Sequence, residues 1–158
     1  MLRADLSESL KSAIKAKDNR RVSTLRLILA AIKDRDIAVR GDGRADGVSD
    51  DEILGILQKM IKQRRESIAH YEQGARLELA AQEQEEIDVI QDYLPAQLSD
   101  DEMKTVVTEV LAEIGAEGIK DMGRTMGVLK ERYTGRMDTS KASLIVRQLL
   151  TGGPSSTQ

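Results

Sequence analysis

From Leu2 to Leu150 the apolar residues of this chain recur three and four positions apart, and no stretch alternates with period two for long enough to make a strand. A strand sends successive side chains to opposite faces, whereas a helix gathers residues of that spacing on one stripe. The expectation is an all-α protein. Among 158 residues there is no Cys, Trp or Phe, and Tyr71, Tyr93 and Tyr133 are the only aromatics. The core must then be built from Leu, Ile, Val, Met and Ala. Without cysteine there are no disulfides, thiolate metal sites or cysteine nucleophiles, and a reducing, cytoplasmic location is expected.

The stripes and their breaks divide the chain. Leu2, Leu6, Leu10 and Ile14 form one stripe. Asn19 is a cap for a second helix carrying Val22, Leu25, Ile28, Leu29, Ala31 and Ile32. Gly41, Gly43 and Gly47 break that helix in a polar loop, the expected flexible segment of this half. Ser49-Asp-Asp-Glu52 is a capping box, in which the serine oxygen accepts from the Glu52 backbone N–H and the glutamate reaches back. Its helix runs through Ile53, Leu57, Met60, Ile61 and Ile68 to a stop at Gly74, and the next uses Leu77, Ile87 and Ile90. Pro95 disfavours helix at Leu94 and is the boundary between a four-helix part, 1–94, and a three-helix part, 95–150. There Ser99-Asp-Asp-Glu102 repeats the capping tetrapeptide, Met103, Val107, Val110 and Ile114 face inward, and Gly115 ends the helix. Asp121 is the expected cap of the next helix and Asp138 or Thr139 that of the last, with Leu144, Ile145 and Leu149 inward. Residues 151–158 have nothing to pack and are expected to be disordered.

Self-sufficient chemistry is hard to find. His70 is the only histidine, so neither a triad nor a histidine-rich metal site can be assembled. Glu83 and Glu86 share a helical face, but no Glu-x-x-His accompanies them, and salt bridges to the basic N-terminal helices are the expected use of these acids. No Gly-x-Ser-x-Gly elbow and no phosphate-binding glycine loop is present. Catalytic residues, metal ligands and cofactors are therefore all expected to be none. Met1-Leu-Arg-Ala-Asp-Leu6 does not read as a signal peptide, no stretch is long enough to span a bilayer, and no membrane partner is expected. The net charge of −3 gives no general pull toward nucleic acid, and DNA is not an expected partner.

The motif that most needs explaining is Asp121-Met-Gly-Arg-Thr-Met-Gly127. Met122, Met126 and Leu129 fall on one face, with Gly123 and Gly127 one turn apart beside them. A glycine costs about 1 kcal/mol against alanine within a helix, so the pair implies close approach, either by another helix or by a ligand. Arg124, Lys130, Glu131 and Arg132 exclude a membrane span. The pattern Met-Gly-x-x-Met-Gly-x-Leu, then Gly135-Arg-Met-Asp138, then a final helix ending in Leu149-Leu150, resembles the C-terminal domain of the YqeY-like family. The likeness extends upstream through Ile61-Lys-Gln-Arg-Arg-Glu-Ser67, Tyr71, Glu83-x-x-Glu86-Ile87 and Tyr93-Leu-Pro95, from about Leu6 to Leu150. A related module forms the tail of the B subunit of the tRNA-dependent amidotransferase.

That resemblance implies a helical accessory module that contacts tRNA, with the aminoacylation or amidotransferase machinery as possible company. Nothing here matches the domain that performs amide transfer, so carbon–nitrogen ligase activity with glutamine as amide donor is not expected of this chain alone. Translation-associated RNA binding through Lys120, Gly123, Arg124, Gly127, Lys130, Arg132, Arg136 and Lys141 is the leading expectation, since glycines admit an RNA backbone and cations pair with phosphates. Asp100, Asp101, Glu113, Glu117 and Glu131 offset those cations. With Tyr133 as the only stacking candidate in this part, structured RNA read by shape is the expected form. A protein–protein adaptor without RNA contact is the alternative.

Overall fold

Two serines do at the structural level what their sequence context demands. In the computed structural model, which describes residues 1–152, Ser49 and Ser99 each accept from the N–H three residues on, and Glu52 and Glu102 each accept from the serine N–H. Both boxes open long helices with three acids in the first turn, where the helix dipole favours negative charge. Among the described residues there are seven α-helices and no strand: α1 Leu2–Lys15, α2 Asn19–Arg40, α3 Asp50–Gln73, α4 Leu77–Gln91, α5 Asp100–Ile114, α6 Met122–Arg132 and α7 Thr139–Thr151, with a 3-10 turn at Ile119–Asp121 before α6.

The chain divides into two compact units, the first Met1–Pro95 and the second from Ala96 onward. In the first, α3 packs along α4, and α2 packs against α1 and α4. Leu6, Leu25, Ile28, Ile53, Leu57, Ile87 and Ile90 make its core. In the second, α5, α6 and α7 pack pairwise around Met103, Val107, Val110, Leu129, Ala142 and Val146. Each unit has its own aliphatic centre.

Several stripe assignments shift by a residue or two. On α1 the buried residue of the last turn is Ala13, and Ile14 lies out. On α7 the inward residues are Ala142 and Val146, whereas Leu144 is 61% and Leu149 48% exposed. Leu77, at the first turn of α4, is 65% exposed. On α1 and α7 a small alanine takes the buried position and the larger neighbour lies out. Asp18, not Asn19, caps α2, with Oδ1 accepting from the Arg21 N–H. Asp121 stands before α6 without capping it: its Oδ2 accepts from the Glu117 and Gly118 N–H groups and so closes the preceding turn. Asp138 does cap α7, accepting from the Ser140 and Lys141 N–H groups. Thr151, placed above in the tail, is the last residue of α7; the rest of that tail, from 153 on, lies outside the described residues.

The glycine loop after α2 is tied rather than loose. Asp36, near the end of α2, accepts two hydrogen bonds from the Arg3 guanidinium at 2.6 and 3.1 Å and one from the Val48 N–H at 2.9 Å. Arg3 also donates to the Val48 carbonyl. A Cβ at Gly47 would stand 2.3 Å from Asp36 Oδ1, and the residue has φ +79°, so both space and backbone require glycine there. One buried carboxylate thus fastens the start of α1, the end of α2 and the entry to α3.

Candidate nucleic-acid interface

The residues singled out in the second unit lie on and around α6. Thr125, Met126 and Leu129 point inward, and the Thr125 hydroxyl is satisfied by the Asp121 carbonyl. The opposite side carries Gly123 and Gly127, both exposed. A Cβ built at either glycine meets nothing within 4 Å. Neither glycine is therefore a packing site for another helix of this structure, and the helix spends two unfavourable residues on a smooth outward strip. Gly123, Gly127 and Lys130 follow one another on α6 at intervals of four and three, and Lys120 lies exposed in the 3-10 turn just before the helix.

The cations differ in what they already hold. Arg132 pairs with Glu113 at 2.6 Å, which holds the Glu113 carboxyl below the usual carboxylate range. Arg124 donates to the Ile114 carbonyl at the end of α5 and lies 3.4 Å from Asp121. Lys141 pairs with Asp100 at 3.5 Å. Arg136 donates through Nε to the Ala96 carbonyl, while its own carbonyl accepts from the Leu98 N–H. Lys120 and Lys130 are exposed and form no ion pair among the described residues. Of the eight positions named from sequence, Gly123 and Gly127 face open space and Lys120 and Lys130 are exposed without an ion pair among the described residues; the other four have structural work.

The Gly135-Arg-Met-Asp138 motif is one such piece of work. Gly135 sits at φ +76° and its carbonyl accepts from Gln97 Nε2 at 2.6 Å. Met137 enters the core and Asp138 caps α7. Together with Arg136 the motif latches the segment after Pro95 to the α6–α7 turn. Sequence reading assigned Arg136 to RNA because nothing local to it reveals a partner forty residues away.

In the first unit the acids are used internally. Arg64 of α3 meets Glu86 at 2.9 Å and Glu83 at 4.0 Å, and Arg20 of α2 meets Glu85 at 2.9 Å and Glu86 at 3.9 Å. Burial, then the neighbouring Glu86, push the Glu83 carboxyl above its ordinary range. Arg21 joins Asp92 and the Tyr93 hydroxyl. These are the ion pairs expected of the acidic helix, with Arg64 an added partner from α3. A hollow of about 520 Å³ beside α1 is walled by Asp5, Glu8, Asp18, Arg21 and Tyr93, three of which are the capping or ion-pairing groups just described. No group of three or more His, Asp or Glu among the described residues is placed to hold a metal, and no described helix is long and apolar enough to cross a membrane.

Comparison with known proteins gives the chain its relatives. It is 38% identical over 118 residues to the Clavispora lusitaniae protein named "Altered inheritance of mitochondria protein 41, mitochondrial", covering 73% of this chain and 65% of that one. The Kluyveromyces lactis protein of the same name is 32% identical over 114 residues, 70% of this chain and 59% of the relative. A Saccharomyces cerevisiae counterpart is 37% identical over 89 residues, 56% and 46% respectively. The chain thus spans between 46% and 65% of the length of these three relatives. Their names correct the cytoplasmic expectation, because all three are mitochondrial proteins; a lack of cysteine separates reducing from oxidising surroundings and does not choose among reducing compartments. The family profile described as "Yqey-like protein" matches residues 3–150, and the chain belongs to that family.

Proposed function

We propose that this chain is a non-catalytic RNA-binding accessory protein that offers the outer face of α6 to structured RNA, with tRNA the first candidate. The observation that carries this reading is the exposure of Gly123 and Gly127, with nothing within 4 Å of an added Cβ, between two unpaired lysines. A helix face without side chains lets a sugar–phosphate backbone lie close, and Lys120 and Lys130 would then meet phosphates at either end. The engaged groups, Arg124, Arg132, Arg136 and Lys141, hold the platform in shape. Contact with the tRNA-charging or amidotransferase machinery follows as a corollary of tRNA as ligand.

The test is binding of bulk tRNA to the full chain across a salt series. Saturable binding that weakens with salt is expected, as counterion release requires. Lys120→Glu with Lys130→Glu should weaken it without loss of helicity; unchanged affinity would remove the α6 face from consideration. These two lysines make a cleaner probe than Arg124, whose loss would also release the end of α5. A protein–protein adaptor is the second reading, favoured by the internal pairing of four of the six cations in this region.

A further inference from the structure

The second helix buries only half of itself. Leu25, Ile28, Ile32, Asp36 and Val39 face the core of the first unit. On the other side Ser23, Leu27, Ala30, Asp34 and Ile37 follow one another at intervals of four, three, four and three, with Gly41 four further on as the C-cap, and all are exposed. Leu27 is 46% and Ile37 57% exposed, the two large apolar side chains of this stripe. Alternating fours and threes are the spacing of a coiled-coil seam, here about five turns long. With Leu27, Asp34 and Gly41 as a positions and Ser23, Ala30 and Ile37 as d, the flanking g positions are Arg26, Lys33 and Arg40. All three are exposed cations without an ion pair among the described residues.

We infer that this face of α2 is a docking surface for an acidic amphipathic helix of a partner protein. The inference is independent of the RNA reading, which concerns the other unit. Flanking charges choose partners in helix pairs, and a flank of one sign selects a helix carrying glutamate or aspartate opposite it. The same flank argues against a second copy of this chain: an antiparallel pair would set Arg26, Lys33 and Arg40 against their own equivalents, and a parallel pair would give them only Thr24, Ala31 and Ala38. Ser23, Ala30 and Gly41 allow the partner helix close approach. Asp34, the one acid in the seam, sets the register by demanding a polar or basic residue opposite. RNA or DNA would use the cations and leave Leu27 and Ile37 without purpose.

The test uses the full chain and a synthetic helical peptide of roughly three heptads, with leucine at a and d and glutamate at e and g, beside a counterpart with lysine in place of glutamate. Fluorescence anisotropy at low salt should show saturable binding of the glutamate peptide and binding of the lysine peptide at least about tenfold weaker. Leu27→Asp with Ile37→Asp should abolish binding while circular dichroism stays unchanged, because both side chains are exposed. Arg26→Glu with Lys33→Glu should reverse the preference between the peptides. Equal binding of the two peptides, or wild-type affinity in the Leu27/Ile37 variant, would overturn the inference. So would failure of the glutamate peptide while the same two residues drive either self-association in sedimentation or binding to phosphatidylglycerol–phosphatidylcholine vesicles.

Discussion

The first unit ties its helices together with carboxylate–arginine pairs, and the second leaves a strip of bare glycine on α6. Between α1, α2, α3 and α4 the carboxylates of Asp36, Glu85, Glu86 and Asp92 each meet an arginine from another element at 2.9 Å or less. In the second unit, α6 shows solvent a strip of Gly123 and Gly127 that no side chain covers. The glycines themselves mark the contrast. Gly47 is glycine because Asp36 occupies the space its Cβ would take, so its smallness serves the fold. Gly123 and Gly127 have open space, so theirs does not. Gly55, within α3, has open space as well, so what sets α6 apart is two such glycines one turn apart, and that distinction can be tested.

Breaking the first side of the contrast should give the largest effect. Asp36→Ala removes the acceptor for Arg3 and leaves the Val48 N–H without its partner, and should cost about 3 kcal/mol in urea unfolding. Gly47→Ala should cost about 2 kcal/mol by the same measurement, from the forced positive φ and the clash with the Asp36 carboxylate. A loss under about 0.5 kcal/mol for both would mean that the loop is not anchored as drawn. In the second unit the sign reverses: Gly123→Ala and Gly127→Ala should each raise stability by up to about 1 kcal/mol. If the α6 face binds RNA, the same substitutions weaken tRNA binding. Gain in stability with loss of binding is an outcome that simple packing of these glycines cannot produce.

The smallest effect compares the two capping boxes. Both glutamates accept from a serine N–H, but Arg44 also grips Glu52 at 2.6 and 2.7 Å. That arginine first, then the Ser49 N–H, pull the Glu52 carboxyl from 4.5 down to about 2. Glu102 is lowered chiefly by the Ser99 N–H, with only a more distant field from Arg136. A carboxyl whose pKa is depressed on folding stabilises the fold above its unfolded pKa and loses that contribution as pH falls toward the folded value. The Glu52 contribution should therefore fade between about pH 4.5 and pH 2. Carboxyl NMR titration should place the Glu52 midpoint below that of Glu102. Arg44→Ala should bring the two together, and coincident midpoints in the unaltered protein would discard the distinction.

Much of the fold was legible along the chain, and the reasons are local. Capping boxes, the left-handed stop at Gly115 and the break at Pro95 act within a few residues, so their chemistry can be read from neighbours in sequence. The errors came where two readings of a helix differ by one to three positions. Leu144 and Leu149 looked like the inward side of α7, but Ala142 and Val146 are the residues buried there. At the candidate site, the glycine strip was visible as an anomaly of helix propensity. Its direction was not, because a helical period is the same whichever way it faces.

By itself, then, the sequence determined the all-helical class, most helix starts and stops, the aliphatic cores and the membership of a family. These follow from period, propensity and capping, all short-range. Only the tertiary structure decided which cations are occupied: that Arg136 latches onto Ala96, that Arg132 pairs with Glu113, and that Lys120 and Lys130 form no ion pair among the described residues. It also decided that Leu27 and Ile37 lie exposed on α2 beside the exposed Arg26, Lys33 and Arg40. Charges pair through space, across dozens of residues, and no local pattern records whether a partner will be there when the chain has folded.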